Sequence, residues 1–488
     1  MDEHKINRFY GIMLCMAIIV AFAFQGSRGI YDTTEGRYAE VAREMLESGN
    51  YLEPTLMYRP HWTKPPLAYW AIAGGIKIFG HNGWGARFYN AVAFILTVLL
   101  VTHIGMLLWD KRAGIVAGFI YSTSIFTVIA MNTISTDTLL ALWEIAAVYG
   151  YLKASKAADT KGIRKWGLVM WISFGLGFFT KGPPALLPLL AISAWHYMNR
   201  KPWKLFTLPG VGIFLVIGFW WYALVIFRHP ELWDYFIGQE LIDRVATDSF
   251  HRNPEWYQPF ILYLPLLTIG AGFWFYYLIK IFIEKDLFRI KILWNYLRVG
   301  KTGAFLFFWI SIPLLIFFIS RSRLPFYVLP LYAPVALIIG RGIGHKISLQ
   351  KVILIAMIST MGLIGLKGFA AQYPRKNNMK QLFSVCRDLG EKDVQVVSYL
   401  ESKLYGLQFY LDGNLTRLSW RKTPWSDNII ENFIDNKVKR ADHIRYIFIA
   451  HQSLGHHLKN ILVAKGVDYK EKQNSFWRIY YTVPEKSS

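Results

Sequence analysis

The stretch Tyr31–Trp70 reads YDTTEGRYAEVAREMLESGNYLEPTLMYRPHWTKPPLAYW. It follows an apolar run at residues 9–27 and carries Asp32, Glu35, Arg37, Glu40, Arg43, Glu44, Arg59 and Lys64. A chain that only has to turn between two lipid-soluble segments does so in a few residues. So long and charged a connection reads as a functional element on a membrane surface, with the rest of the chain as its scaffold.

Composition supports that setting. Of 488 residues, 54% are hydrophobic and 17% aromatic, above the apolar share of an ordinary soluble enzyme. Repeated long apolar runs indicate a polytopic α-helical membrane protein. The net charge of +22 would suggest nucleic acid in a soluble chain. Here it reads as Lys and Arg placed in cytoplasmic loops to set topology, and no nucleic-acid partner is expected. The two cysteines, Cys15 and Cys386, have no metal-site spacing. No P-loop or zinc-finger pattern is present.

After the opening loop, residues 68–80 read as a short interfacial or re-entrant helix. Spans are expected near 86–108, 113–131, 137–154, 166–180, 184–198, 205–227, 256–279, 303–319, 326–340 and 352–370, about eleven with the first helix. With the N-terminus in the cytoplasm, every cytoplasmic loop is basic, as the positive-inside rule requires. That places the 31–85 loop, the 228–255 loop and the C-terminal region outside. Residues 1–371 read as the transmembrane catalytic domain. Residues 372–488 read as a small soluble α/β domain, with strands near 394–400, 445–450 and 476–483 and helices near 378–389 and 452–465.

Basic residues on the external side are not needed for topology, so they mark a site. Lys64, Lys181, Arg321 and Arg323 lie there at or beside span ends, where a cation is costly unless it snorkels or pairs. Singly each reads as a snorkelling side chain. Lys64 with the Arg321/Arg323 pair reads as an anion site for phosphate or pyrophosphate. In the opening loop, Glu40, Arg43, Glu44 and Glu47 read as a solvated helix face. Asp32 and Glu35 are either caps or carboxylates facing a cavity, and Asp137 has the same two readings. His229 and His251, among acids of the 228–255 loop, are weak candidates for a divalent metal.

Several motifs resemble the bacterial aminoarabinose transferase and protein mannosyltransferase superfamily. They are RYAEVAREMLESGNYLEP and HWTKPPLAYW in the opening loop, then NTISTDTLLALW, FFTKGPPALLP, LWDYFIGQELIDR and SRLPFYVLPLYAP. The resemblance covers essentially the whole chain. It implies a GT-C type glycosyltransferase fold with a polyprenyl-phosphate sugar as donor. It implies a cavity in which Arg37, Lys64 and Tyr327 meet the donor phosphate, and a second acidic position at Asp137. Relatives usually carry Asp-Glu before the Gly-Arg-Tyr; this chain has Thr34-Glu35. The principal catalytic aspartate therefore falls on Thr34, and either Glu35 or Asp32 replaces it or the catalytic demand differs. The metal-ligand glutamate beside the family lysine is Thr63 here, so no cofactor is firmly implied.

The expected reaction is inverting transfer from an undecaprenyl-phosphate sugar to a periplasmic acceptor at the bacterial inner membrane. Lipid A or lipopolysaccharide is the first choice of acceptor. A protein or another surface polysaccharide is the alternative. A lipid-linked-sugar flippase would instead predict repeated halves and charges spread through the membrane; neither is seen.

Overall fold

A computed structural model describes residues 3–198, 206–243, 252–286, 289, 291, 301–390, 394–440 and 444–482. Its first three quarters are helical. Among the described residues, six helices are long and apolar enough to cross a membrane: Glu3–Phe22, Gly83–Leu108, Leu208–Arg228, Thr302–Ile319, Pro325–Ile343 and Leu349–Gln372. Two bent pairs raise the count to eight if each is one span.

The structure thus gives fewer qualifying spans than the eleven expected from hydropathy, and for identifiable reasons. The 113–131 run splits into Lys111–Ser122 and Ile125–Met131, bent by 61°, with Ser124 in extended backbone between them. The 256–279 run splits into Gln258–Ile269 and Trp274–Glu284, bent by 99°, after Pro265 has removed a helical donor. Pro183 and Pro184 open a 3₁₀ turn, leaving only Leu187–Met198 as α-helix. Asp137–Lys156 and Thr160–Lys181 are long enough to span and pack as a hairpin. Both carry charge at their ends, and Asp159 caps the second through the Gly162 N–H.

The opening loop is built as Thr34–Ser48, ending at Gly49 in the left-handed region, a two-residue hairpin of Thr55–Leu56 and Arg59–Pro60, and the short helix Leu67–Phe79. Its charged face is not solvated as expected. Glu40, Arg43 and Glu44 are 0, 4 and 1% exposed. The Glu40–Arg43 and Arg43–Glu47 pairs do form, each at 2.8 Å. Glu44 accepts from the Thr55 hydroxyl at 2.6 Å and the Tyr58 N–H at 3.1 Å, pinning the hairpin. The burial comes from the C-terminal domain, whose Tyr405–Tyr410 helix packs on Thr34–Ser48.

That domain carries a six-stranded sheet in the order Asn428–Ile429, Leu415–Ser419, Val394–Tyr399, Arg445–His451, Trp477–Thr482, Tyr469–Gln473. The first four strands are parallel and the last two form an antiparallel hairpin. Helices Met379–Leu389 and Gln452–Ala464 accompany the sheet. Tyr446, Phe448 and Ala450 enter one apolar cluster, and Ile447 and Ile449 another. Burial on both faces is why RYIFIA is continuously apolar. Residues 30–32 are stitched to 377–379 by backbone bonds, Met379 N–H to Ile30 O at 3.1 Å and Asp32 N–H to Asn377 O at 3.0 Å.

Candidate active site

The opening loop, the start of Asp137–Lys156, the end of Thr160–Lys181 and the 324–327 segment converge on a cavity of about 920 Å³. A second cavity of about 580 Å³, walled by Phe178, Phe219, Tyr222, Phe236, Phe317 and Leu331, shares lining residues with it. Thr63, Lys64, Lys181, Glu240 and Tyr327 line both. A polar chamber and an apolar one therefore meet at two lysines.

Each lysine is held by an acid. The Lys64 ammonium lies 3.0 Å from Glu240 and donates to the Thr63 carbonyl at 2.6 Å. Lys181 pairs with Asp137 and stands 4.6 Å from the centre of the Tyr327 ring. Asp137 opens its helix but caps no backbone N–H. Its partner is a cation facing the cavity, so the capping alternative drops away. Arg37 also lines the polar chamber and, among the described residues, makes no ion pair or side-chain hydrogen bond. The local field is strongly positive. His61, bonded to the Thr63 hydroxyl at 2.8 Å, is pushed down to about 3 by burial and then by Arg37 and Lys64.

The two candidate carboxylates of the loop have opposite surroundings. Glu35 is buried, and Arg28 grips both oxygens at 2.6 and 2.8 Å. Arg87 adds contacts at 3.1 and 3.3 Å, and the Tyr31 and Ile134 N–H groups each donate at 2.9 Å. Burial alone would raise its pKa. The Arg28 and Arg87 charges and these bonds overturn that and hold it down at about 2. A carboxylate so occupied is a fastener: it joins the 28–35 segment, helix Gly83–Leu108 and the turn that delivers Asp137. Asp32 is half-buried as a residue, with its carboxyl group enclosed. Oδ1 accepts one bond, from the Gly406 N–H at 2.8 Å, and Oδ2 has no partner. Desolvation pushes the group up to about 8. Thr34, at the position of the usual family aspartate, is exposed to the cavity.

Arg321 and Arg323 do not line either cavity. Arg321 is exposed. Arg323 is buried, donating to the backbone carbonyls of Asn253, Glu255, Phe317 and Phe318 between 2.7 and 3.2 Å. Those carbonyls occupy its guanidinium, which ties the 252–255 segment to the end of a span. The cation that does reach the chamber from this region is Arg252. It satisfies the same test applied to Arg323, a basic residue on the predicted external side. Arg28, Lys367, Arg375 and Lys403 also line the chamber, and the sequence reading misses all four. Lys367 is legible as a lone charge in the apolar run LIGLKGFAAQ.

His229 lies away from the chamber, its ring tilted against Trp62 at 5.2 Å between centres and 3.6 Å from Glu53. His251 is outside the described residues. Among the described residues no three His, Cys, Asp or Glu side chains gather as metal ligands. At Thr63, a hydroxyl facing an imidazole supplies no carboxylate for one.

This geometry can be set beside known proteins. Residues 63–222 match the family described as dolichyl-phosphate-mannose-protein mannosyltransferase. The undecaprenyl phosphate-α-4-amino-4-deoxy-L-arabinose arabinosyl transferase 2 of Pseudomonas fluorescens is 31% identical over 333 residues, 67% of this chain and 58% of its own. The corresponding transferase of Pectobacterium atrosepticum is 30% identical over 368 residues, 74% of this chain and 63% of its own. The chain thus spans about three fifths of the length of these relatives. The crystal structure of ArnT from Cupriavidus metallidurans bound to undecaprenyl phosphate matches with a TM-score of 0.78 at 18% identity, covering 97% of this chain and 98% of that one. An Archaeoglobus fulgidus oligosaccharyltransferase matches more loosely, with a TM-score of 0.51 at 11% identity, covering 99% of this chain and 74% of that one.

A helical membrane domain followed by a sheet-bearing C-terminal domain is thus a fold shared with the Cupriavidus metallidurans structure. In sequence the chain is similar to the aminoarabinose transferases over about two thirds to three quarters of its length, and to the mannosyltransferase family over residues 63–222.

Proposed function

We propose that this protein is an inner-membrane glycosyltransferase that moves a sugar from undecaprenyl phosphate to a periplasmic acceptor, most simply lipid A or lipopolysaccharide. The observation that carries the reading is the junction of a polar and an apolar chamber at Lys64, Lys181 and Tyr327. A polyprenyl chain suits the apolar chamber. Its phosphate then lies at the junction, with Arg37 and Arg252 lining the polar side, where the sugar and acceptor meet.

In the reaction an acceptor oxygen attacks the anomeric carbon as the bond from that carbon to the phosphate oxygen breaks. Direct displacement inverts the centre. The phosphate leaves with the bonding pair, and the cations stabilise its growing charge, commonly the main source of rate enhancement in such sites. A hydroxyl acceptor loses its proton to Asp32, which lines the chamber and whose raised pKa suits proton transfer near neutrality. An ionised phosphate acceptor needs no base, and Asp32 then orients the sugar. Glu35 holds the frame in either case.

The test is transfer by purified, reconstituted protein supplied with polyprenyl-phosphate sugars and lipid A. Lys64→Ala and Arg37→Ala should each lower kcat by about 10²–10³-fold, the usual loss of one transition-state donor. No transfer with any donor, together with vectorial movement of lipid-linked sugar across vesicles, would overturn the reading in favour of a flippase.

A further inference from the structure

The polar chamber has a second set of walls that the donor does not use. Val128 and Ile129 of Ile125–Met131, and Leu363, Leu366 and Ala370 of Leu349–Gln372, line it without lining the apolar chamber. These belong to helices whose neighbouring surface is apolar and open: Ile129, Met361, Leu366 and Phe369 are all exposed. Beyond them, on the segment that enters the soluble domain, Arg375 lines the same chamber, and Lys403 does so from the loop after strand Val394–Tyr399.

Arg37 apart, which the reading above sets beside the donor phosphate, these two cations differ from the others. Lys64 and Lys181 are paired with acids, Arg28 with Glu35, and Lys367 donates to the Val20 and Ala21 carbonyls and to Gln25. Arg375 and Lys403 are exposed, and among the described residues neither has a carboxylate partner. The chamber's acids are Asp32, Glu35, Asp137 and Glu240, and all but Asp32 are already held by other cations. Neither Arg375 nor Lys403 lines the apolar chamber, so a donor phosphate at the lysine junction leaves these two cations uncompensated. An apolar wall leading to unpaired cations fits an amphiphile with an anionic headgroup.

We propose that Arg375 and Lys403 form the headgroup subsite for the acceptor, an anionic membrane glycolipid that approaches along Ile125–Met131 and Leu349–Gln372. This rests on the transferase reading above and adds to it a separate path for the acceptor. The soluble domain then selects the acceptor, while the membrane domain holds the donor.

The experiment compares the full chain with its Arg375→Glu/Lys403→Glu variant in detergent. One arm measures steady-state transfer. KM for phosphorylated lipid A should rise by ~10-fold or more, as expected when charge-assisted contacts are reversed, while KM for the donor stays unchanged. Arg375→Lys/Lys403→Arg should behave as the parent. An unchanged acceptor KM, as a peptide or neutral-glycan acceptor would give, or a rise in donor KM instead, overturns the subsite. The second arm needs no turnover: binding of hexa-acylated lipid A and of its enzymatically dephosphorylated form. The parent should prefer the phosphorylated form and the Glu variant should lose that preference. A parent with no preference, or a variant that keeps it, also overturns the subsite. Preference without transfer would leave the subsite standing and remove the transferase reading instead.

Discussion

Replacing Glu35 by Gln separates two roles that a single activity assay would merge. The side chain keeps its shape but loses its charge, leaving Arg28 and Arg87 buried without a counter-charge. The carboxyl group lies at about 2, against an ordinary 4.5, which corresponds to about 3 kcal/mol of folded-state stabilisation. Breaking a buried pair by removing one partner costs about 3–5 kcal/mol, so the two routes agree. Thermal unfolding of the full chain in detergent, followed by tryptophan fluorescence, should show a loss of ~5 °C or more. The pH dependence has a definite sign. Because the folded-state pKa is depressed, the stabilisation is present above 4.5 and is lost as pH falls through that value toward 2. The gap between parent and variant should therefore close on acidification. Transfer should fall through misplacement of Asp137, and the Arg28→Gln/Glu35→Gln double variant should recover part of the lost stability. If Glu35→Gln unfolds at the parent's temperature yet loses transfer, Glu35 acts on the chemistry and the fastener role is wrong.

Three further outcomes follow from the same structure. Asp32 is raised to about 8, so parent stability should decline as pH rises from the ordinary carboxylate range through 8, and Asp32→Asn should remove that decline in a melting series; a flat parent profile would refute the enclosure of its carboxyl group. A Cβ at Gly36 would lie 2.0 Å from Asp32 Oδ1 and 2.4 Å from Gly406 N, so Gly36→Ala should cost about 1–3 kcal/mol and open the C-terminal domain to limited proteolysis. Arg323→Met should lower the melting temperature by releasing the 252–255 carbonyls, and, because Arg252 of the same segment lines the polar chamber, should raise the donor KM as well; an unchanged melting temperature would refute the tie.

The membrane class, the placing of Lys64, Lys181 and Asp137 beside one cavity, and three strands of the soluble domain are all legible in the sequence. Each rests on a local signal: a cation where topology needs none, an acid at the head of a span, or a β-rich apolar run. What the sequence hides is burial by distant segments. The face carrying Glu40, Arg43 and Glu44 looks solvated because its cover lies in residues 405–410. Glu35 looks catalytic because its partner Arg87 sits on another helix and Ile134 in a separate turn. Arg323 looks available because the carbonyls that occupy it carry no sequence signature. The strand Tyr469–Gln473 is missed because its side chains are mostly exposed and polar at the sheet edge.

The bond between Asp32 and Gly406 joins residues 374 positions apart, and the stitching of 30–32 to 377–379 spans nearly as much chain. During synthesis the opening loop emerges first, yet its acid lacks its enclosing partner until the helices have inserted and the last quarter of the chain has folded beside it. A half-made protein therefore exposes an ordinary solvated aspartate rather than an enclosed one. The environment of this carboxyl group is therefore a late product of folding, set only when segments from both ends of the chain have met.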